Sequence, residues 1–400
     1  MKAWLEDVRR SSWLVSLLAI VVAFVLGGVL IALTDADTQN AMGYFFARPT
    51  DAITSGWRAA TEAYGAMLRG AVYDPQGSTT VRQFRPITET LTVATPLIAA
   101  GLGVAVAFRV GLFNIGAQGQ LIIGVVLAGL VGFRLHLPPG IHLVVAVLAA
   151  LVGGALWGGL VGLLRARTGA PEVITTIMLN YVALYLLAYL LTTSTFQRAG
   201  ASNPISPPVD DSAAFPLLLG DSFRLHLGFL VVLVAAAVVW WLVERSTLGF
   251  RWRAVGANPA AARTAGMSVP AAYVGVMVAA GALAGLAGAA QLLGTEKSLT
   301  GGIAGSIGPD AITVALLGRS RPFGVVLAGL LFGALRAGGV LMQAQTGTPI
   351  DVVLVVQSVI VLLIAAPPLV RAIFRLETKR RRGAGTDAAA PTAERQGAAA

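Results

Sequence analysis

The 400-residue chain contains no cysteine, only three histidines and few charged side chains, 12% in all. Without cysteine there are no disulfides, thiolate metal centres or cysteine nucleophiles. His136, His142 and His226 lack the one-turn spacing of a paired metal site, so no bound metal is expected. No Gly-x-x-x-x-Gly-Lys-Ser/Thr loop is present to cradle nucleotide phosphates, and no nucleophile–base constellation emerges. Neither ATP hydrolysis by this chain alone nor an intramembrane enzyme is therefore expected. The low charge accompanies 56% hydrophobic residues and a mean hydropathy of +0.77, values that exclude an ordinary soluble domain and point to lipid as the solvent. The net charge of +10 suits basic loops facing the cytoplasm; no basic domain with interleaved aromatics lies outside the apolar runs, which argues against a nucleic-acid partner.

Apolar runs long enough for a hydrocarbon layer fill most of the sequence. The candidate spans are 13–33, 87–108, 112–133, 141–164, 172–192, 226–243, 270–293, 305–318, 323–341 and 350–370. The expectation is an all-α polytopic membrane protein of about ten transmembrane helices. Lys2, Arg9 and Arg10 precede a first run too long for a signal core, which is read as a retained span. The eighth run is short, rich in glycine and carries Pro309 and Asp310; a broken or re-entrant helix is expected there, surrounded by protein or water. Of the 29 Lys and Arg residues, about two thirds fall on the side that ten spans with an inside N-terminus define as cytoplasmic, with Arg336 counted outside. Both termini are accordingly expected in the cytoplasm. The organisation is then a cytoplasmic N-terminus (1–12), a transmembrane domain (13–370) and a basic, then disordered, cytoplasmic tail (371–400). Within the domain lie an extracytoplasmic insertion at 34–86 and a cytoplasmic loop at 244–269. An amphipathic stretch from Ile53 to Leu68 suggests a surface helix outside the membrane, and the proline-bearing connection 193–225 reads as an outer loop.

Glycines recur every four residues at Gly154, Gly158 and Gly162, at Gly281 and Gly285, and at Gly329 and Gly333. Such stripes let helix backbones approach closely where lipid supplies no hydrophobic drive. In the basic loop, Gly256 to Gly266 reads as a short helix: Asn258 as N-cap, Pro259 at the first helical position, Ala261 and Arg263 in its turns, and Gly266 ending it in a left-handed conformation. A compact helix of this kind can enter a groove on a cytoplasmic partner, or simply join two spans.

Uncharged amides interrupt the second and third spans at Asn114, Gln118 and Gln120, beside Phe113. They can bond between helices or line a hydrated path for a polar solute. Asn180 and Tyr181 lie deep in the fifth span and offer donors, acceptors and a stacking face. Glu172 opens that span near Arg165 and Arg167, a position that favours a structural role. Asp351 reads as a cap, whereas Asp310 could serve either structure or pathway.

Taken together, Gly-Leu-Phe-Asn-Ile-Gly-Ala-Gln-Gly-Gln at 111–120, Pro-Glu-Val-Ile-Thr-Thr-Ile-Met-Leu-Asn-Tyr at 171–181, the 256–267 loop and Asp-Ala-Ile-Thr-Val-Ala-Leu-Leu-Gly at 310–318 resemble a known family. It comprises the permease subunits of bacterial ATP-binding-cassette (ABC) importers of the ribose and branched-chain amino acid class, particularly its nucleoside branch. The resemblance implies an inner-membrane protein whose 256–267 segment is the coupling helix docking on a cytoplasmic ATPase. It further implies a second, homologous permease in a heterodimer, an extracytoplasmic solute-binding lipoprotein, and import driven by ATP and magnesium held on the partner subunit. Gln118 stands where the family often has Glu, which makes that position a poor candidate for an essential charge. On this basis the chain is expected to pass nucleosides or related small polar solutes by alternating access, along a polar seam near Asn114, Gln120 and Asn180. A simple sugar is the alternative solute. An ion-gradient transporter is the alternative class, disfavoured by the scarcity of deep charges.

Overall fold

The computed structural model describes residues 12–366, 369–370 and 373–374. The expected N-terminal segment and nearly all of the tail fall outside the described residues. Among them the regular structure is helical: α1 (Ser12–Thr34), α2 (Ala36–Met42), α3 (Pro49–Ala71), α4 (Thr80–Arg109), α5 (Ala117–Arg134), α6 (Ile141–Thr168) and α7 (Glu172–Leu190), followed by α8 (Gly228–Arg245), α9 (Thr247–Ala257), α10 (Pro259–Thr264), α11 (Val269–Ala289), α12 (Ile307–Leu317), α13 (Pro322–Thr346) and α14 (Asp351–Ala365). Eight of these helices are long and apolar enough to cross a bilayer, and α12 and α14 are shorter apolar helices. Together they account for the ten apolar runs of the sequence.

The bundle is organised around α4, whose apolar window is 83% buried and which packs against α8, α11, α12 and α13. Threonines in this buried helix would strand hydroxyls in an apolar interior, and they avoid it by donating back along the helix: Thr92 to the Thr88 carbonyl at 2.8 Å and Thr95 to that of Leu91 at 2.7 Å. Among the described helices the most extensive packing joins α6 to α11. Here the two glycine stripes face each other. A Cβ added at Gly154 would lie 2.1 Å from the Gly281 carbonyl oxygen, and one at Gly285 would lie 2.1 Å from that of Ala150. Gly333 meets α4 in the same way, 2.7 Å from the Thr90 carbonyl. Dispersion between backbones at this range replaces the hydrophobic drive that lipid does not provide.

The two ends of the bundle separate as the arginine distribution requires. At one end Arg109 donates to the Ser320 carbonyl at 2.9 Å and pairs with Glu244 at 3.1 Å, and Arg165 pairs with Glu172 at 3.4 Å. Segments 109–113, 165–172, 244–268 and 319–321 thus gather there, on the inner side. At the other end Arg134 donates to the carbonyls of Ser194 and Thr195, and Arg224 pairs with Glu89 at 3.4 Å. The proline-bearing loop 193–225 is ordered across this outer end. Ser206 N–H donates to the Leu299 carbonyl at 3.0 Å, Val209 to that of Lys297 at 2.8 Å and Phe215 to that of Leu293 at 3.0 Å.

Three sequence expectations change. The amphipathic helix of the 34–86 segment forms as α3, but it packs on α1 and α13 instead of lying free on a surface. Its Ala63, Ala66, Met67 and Gly70 are buried, because a face of small residues admits close contact, while Ile53, Trp57 and Leu68 stay exposed. Pro309 and Asp310 do not break α12; they open it, since proline is tolerated in a first turn and a carboxylate is favoured there. The irregular backbone lies just upstream, after a wide-turned extension of α11 over Ala290–Glu296, and the 11 residues of α12 reach only about 16 Å, roughly half of the hydrocarbon core. Arg336 belongs to no outer loop. It sits within α13, and the sequence count had misplaced it.

His226, at the outer end just before α8, is wedged against Gly228 and Gly294 and stacked on Phe215 with ring centroids 5.5 Å apart. Burial, reinforced by Lys297 and Arg224, lowers its pKa to about 4. The unfolded chain therefore takes up this proton at higher pH than the folded protein. Thermal stability in detergent should be unaffected by His226 above about pH 6.5. As pH falls from there toward 4 it should decline by up to about 3 kcal/mol, and His226→Phe should flatten that decline in melts taken across the window. The glycine contacts make a second expectation: Gly154→Ala should destabilise by about 1–3 kcal/mol through overpacking. Gly65→Ala, with nothing within 4 Å of the new methyl, should stabilise by about 0.5–1 kcal/mol through helix propensity. Melting temperatures of the two purified variants should move in opposite directions.

Candidate coupling surface and solute path

The inner end carries a helical hairpin. Ser246 caps α9 by accepting the Gly249 N–H at 2.9 Å, and a tight reversal at Gly249 brings this helix back beneath α8, where its Trp252 is buried. Sequence inspection missed α9 because Trp252, Arg251 and Arg253 mix apolar and basic residues over too short a run for a clear period. The short helix that follows has the capping read from the sequence. Asn258 Oδ1 accepts the N–H groups of Ala260 and Ala261 at 3.0 and 3.1 Å, Pro259 occupies the first helical position, and Gly266 has φ of 78°. Asn258, Pro259, Ala261, Arg263 and Gly266 are all exposed, so α10 presents its surface outward at the inner end. Gly256 is different. It lies at the end of α9 against α4, where an added Cβ would fall 2.6 Å from the Arg109 carbonyl and 2.7 Å from Val110 Cα. The base of the hairpin is thereby seated on the point where α4 ends.

From that point the chain runs through the non-helical stretch between α4 and α5. A break in helix at this depth leaves backbone groups that lipid cannot satisfy, and the amides of the sequence motif supply their partners. Asn114 and Gln120 are 0% exposed and form a reciprocal pair, Nδ2 to Oε1 at 3.1 Å and Nε2 to Oδ1 at 3.2 Å, while Asn114 Oδ1 also accepts the Gly116 N–H at 2.9 Å. Asn180 on α7 donates to the Ile115 carbonyl at 3.0 Å and accepts the Gly119 N–H at 2.8 Å. Gln118 reaches across to α12, donating to the Gly305 carbonyl at 3.0 Å and accepting the Gly308 N–H at 2.9 Å. These amides are therefore occupied in joining irregular backbone, and neither Asn114 nor Gln120 presents surface to a cavity in this structure. Phe113, 42% exposed, stacks on Phe108 at 4.8 Å. Tyr181 is also exposed, on a face of α7 shared with Tyr185 and Tyr189. Glu172 binds Arg165 and accepts the Phe113 N–H at 3.3 Å, consistent with a structural role. Asp351 opens α14 without a side-chain cap bond.

One element of this layer escaped sequence reading. Arg336 on α13 pairs with Asp310 and with the Ser306 hydroxyl at the start of α12. Ser306 in turn donates to Asp310 at 3.3 Å. The signal was available, because an arginine inside a long apolar run needs a partner and Asp310 was the nearby carboxylate without one. Arg336 and Ser306 line a cavity of about 1010 Å³ between α4, α13 and α14, which also receives Arg82, Arg85, Glu89 and Arg224 from the outer end. A polar layer thus extends from the base of the inner hairpin, through the amides, to the wall of an outer cavity.

Known proteins place this architecture. The family model for the permease component of branched-chain amino acid transport systems matches residues 87–365. The guanosine ABC transporter permease protein NupP of Bacillus subtilis is 41% identical over 299 residues, covering 74% of this chain and 85% of that protein. A nucleoside ABC transporter permease protein of Lactococcus lactis is 35% identical over 317 residues, covering 75% and 86% of the two chains. A glucose ABC transporter permease protein of Haloferax volcanii is 34% identical over 372 residues and covers 90% of each. No solved structure gives a significant match. With the family match spanning the layer from the amides to Arg336 and the inner hairpin between them, the chain belongs to the ABC transporter permeases of the branched-chain amino acid type, a multi-pass protein of the bacterial inner membrane.

Proposed function

We propose that this permease subunit imports a nucleoside by alternating access, moved by a separate cytoplasmic ATPase that grips α10 and holds the ATP and magnesium. A second, homologous permease completes the membrane unit, and an extracytoplasmic binding lipoprotein delivers solute to the outer end. The observation that carries this reading is the placement of α10: capped by Asn258, exposed along Pro259, Ala261 and Arg263, and based through Gly256 on the end of α4. A partner closing on α10 would displace that base. From there the covalent path enters the amide-bonded stretch, and Gln118 passes the displacement to the first turn of α12. The nucleoside assignment rests on the similarity to the guanosine and nucleoside permeases. The glucose relative, which covers the largest share of this chain among these three, supports a simple sugar as the second reading.

The amides Asn114, Gln120 and Asn180 have in this mechanism the role of holding a polar seam together, with Phe113 and Tyr181 as the ring-bearing residues exposed beside it. Weak contacts suit such a path, because a conduit must release what it accepts.

Arg263→Glu reverses an exposed charge on α10 without disturbing the cap. Retention of the partner ATPase on the affinity-purified permease should fall at least about tenfold, the factor that 1.4 kcal/mol represents, and ATP-driven nucleoside uptake into proteoliposomes should fall with it. Unchanged binding and uptake would remove α10 from the coupling role. A labelled panel of purine nucleosides, pyrimidine nucleosides and glucose, presented to the assembled transporter, separates the two solute readings.

A further inference from the structure

Arg336 stands out among the charged groups that the coupling mechanism leaves unused. Placing a guanidinium within an apolar helix is unfavourable by several kcal/mol unless it is compensated, and such residues mark pathways more often than packing. Compensation here is only partial. Nη2 is shared between Asp310 and Ser306, Nε is buried with no hydrogen-bond partner, and 23% of the side chain remains exposed, at the cavity wall. Arg336 therefore keeps donor capacity beyond its ion pair, at a cavity wall whose volume of about 1010 Å³ lies at the upper end of the range, about 300–1,000 Å³, that receives small ligands. The Gly305 and Ser306 backbone lines the same wall.

Arg82, Arg85 and Arg224 line the outer part of the cavity, but at Arg336 itself the ligand chemistry follows from the local balance of charge. Asp310 already neutralises Arg336, so an anion entering the cavity would compete with a carboxylate held in place. A neutral solute bearing several hydroxyl or carbonyl oxygens would not compete; it would accept from the guanidinium N–H groups that the protein leaves open. The names of the three similar permeases specify guanosine, nucleosides and glucose, and these share an uncharged ring carrying several hydroxyl groups.

We propose that Arg336 is a specificity-determining residue of the outer cavity, donating hydrogen bonds to the hydroxyl oxygens of the solute's sugar ring, with Asp310 and Ser306 as positioning residues that hold the guanidinium. The proposal rests on the nucleoside reading above and adds to it the residue that distinguishes a full sugar from one stripped of hydroxyls.

The test uses the assembled transporter, with its ATPase, partner permease and binding protein, in proteoliposomes. Uptake of a ribonucleoside is compared with that of its 2′,3′-dideoxy analogue, for the unaltered complex and for Arg336→Lys. Lysine keeps a cation beside Asp310 but loses the planar fork, so a purely structural ion pair would tolerate it. Taking the variant's preference relative to that of the unaltered complex cancels the discrimination contributed by the common binding protein. The ribo-to-dideoxy preference should fall about tenfold or more, the loss expected for a hydrogen bond from a charged donor, with dideoxy uptake nearly unchanged. A double variant, Asp310→Asn with Arg336→Gln, removes both charges together and guards against misfolding from an uncompensated carboxylate; it should show the same loss of preference. An equal fall for both solutes in the two variants, or an unchanged preference, would overturn the proposal while leaving the nucleoside reading intact. If the unaltered complex takes up no nucleoside, the solute reading fails and this proposal fails with it.

Discussion

Two stretches of irregular backbone, one between α4 and α5 and one between α11 and α12, meet inside this bundle, and neither can be left to lipid. Unpaired N–H and C=O groups at membrane depth cost several kcal/mol each. The chain resolves this with amide side chains: Asn114 with Gln120 inside the first break, Asn180 tying it to α7, and Gln118 carrying it to the N-terminal turn of α12. Uncharged amides suit the task because each offers donors and an acceptor without the cost of a buried charge. The break that such bonding permits also supplies the mechanical possibility, since a helix interrupted by hydrogen-bonded loops can re-form elsewhere with less disruption than a continuous one.

Around this knot the rest of the bundle is closely packed. α6 and α11 are locked by opposed glycine stripes, with backbones so close that even a methyl group would collide, and α4 is enclosed on nearly all sides. On the proposed mechanism, displacement at the inner hairpin would follow a route that is both irregular and polar. It leads from Gly256 to the end of α4 and through the amides to the first turn of α12. Structural contiguity of this kind defines a candidate route; coupling along it is an energetic property that only perturbation can establish.

Much of this architecture was legible in the sequence, for identifiable reasons. Long apolar runs report the spans because nothing else in a chain this poor in charge competes with them. The stripes at 154–162 and 281–285 announced two close-packed helices, though a spacing of four cannot say that the two stripes would face each other. The cap at Asn258 and the terminator at Gly266 are local, and local chemistry is what sequence displays best. Non-local partners were hidden. The amides at 114–120 were known to need partners, but their pairing with Asn180 and Gly308 depends on helix positions that no local pattern encodes. Arg336 is misplaced by a loop count because such a count treats every arginine as lying at a membrane surface, and α3 reads as a surface helix outside the membrane because its buried face is made mostly of alanine and glycine, which score weakly as apolar.

If Gln118 carries motion from the inner hairpin to α12, as proposed, replacing it by leucine should uncouple the two, which is read as the number of solute molecules taken up per ATP hydrolysed by the assembled transporter carrying Gln118→Leu. Hydrolysis should persist while solute uptake per ATP falls severalfold, because the proposed ATPase would still engage α10 while α12 no longer followed. Uptake per ATP equal to that of the unaltered complex, at equal abundance in the membrane, would contradict it.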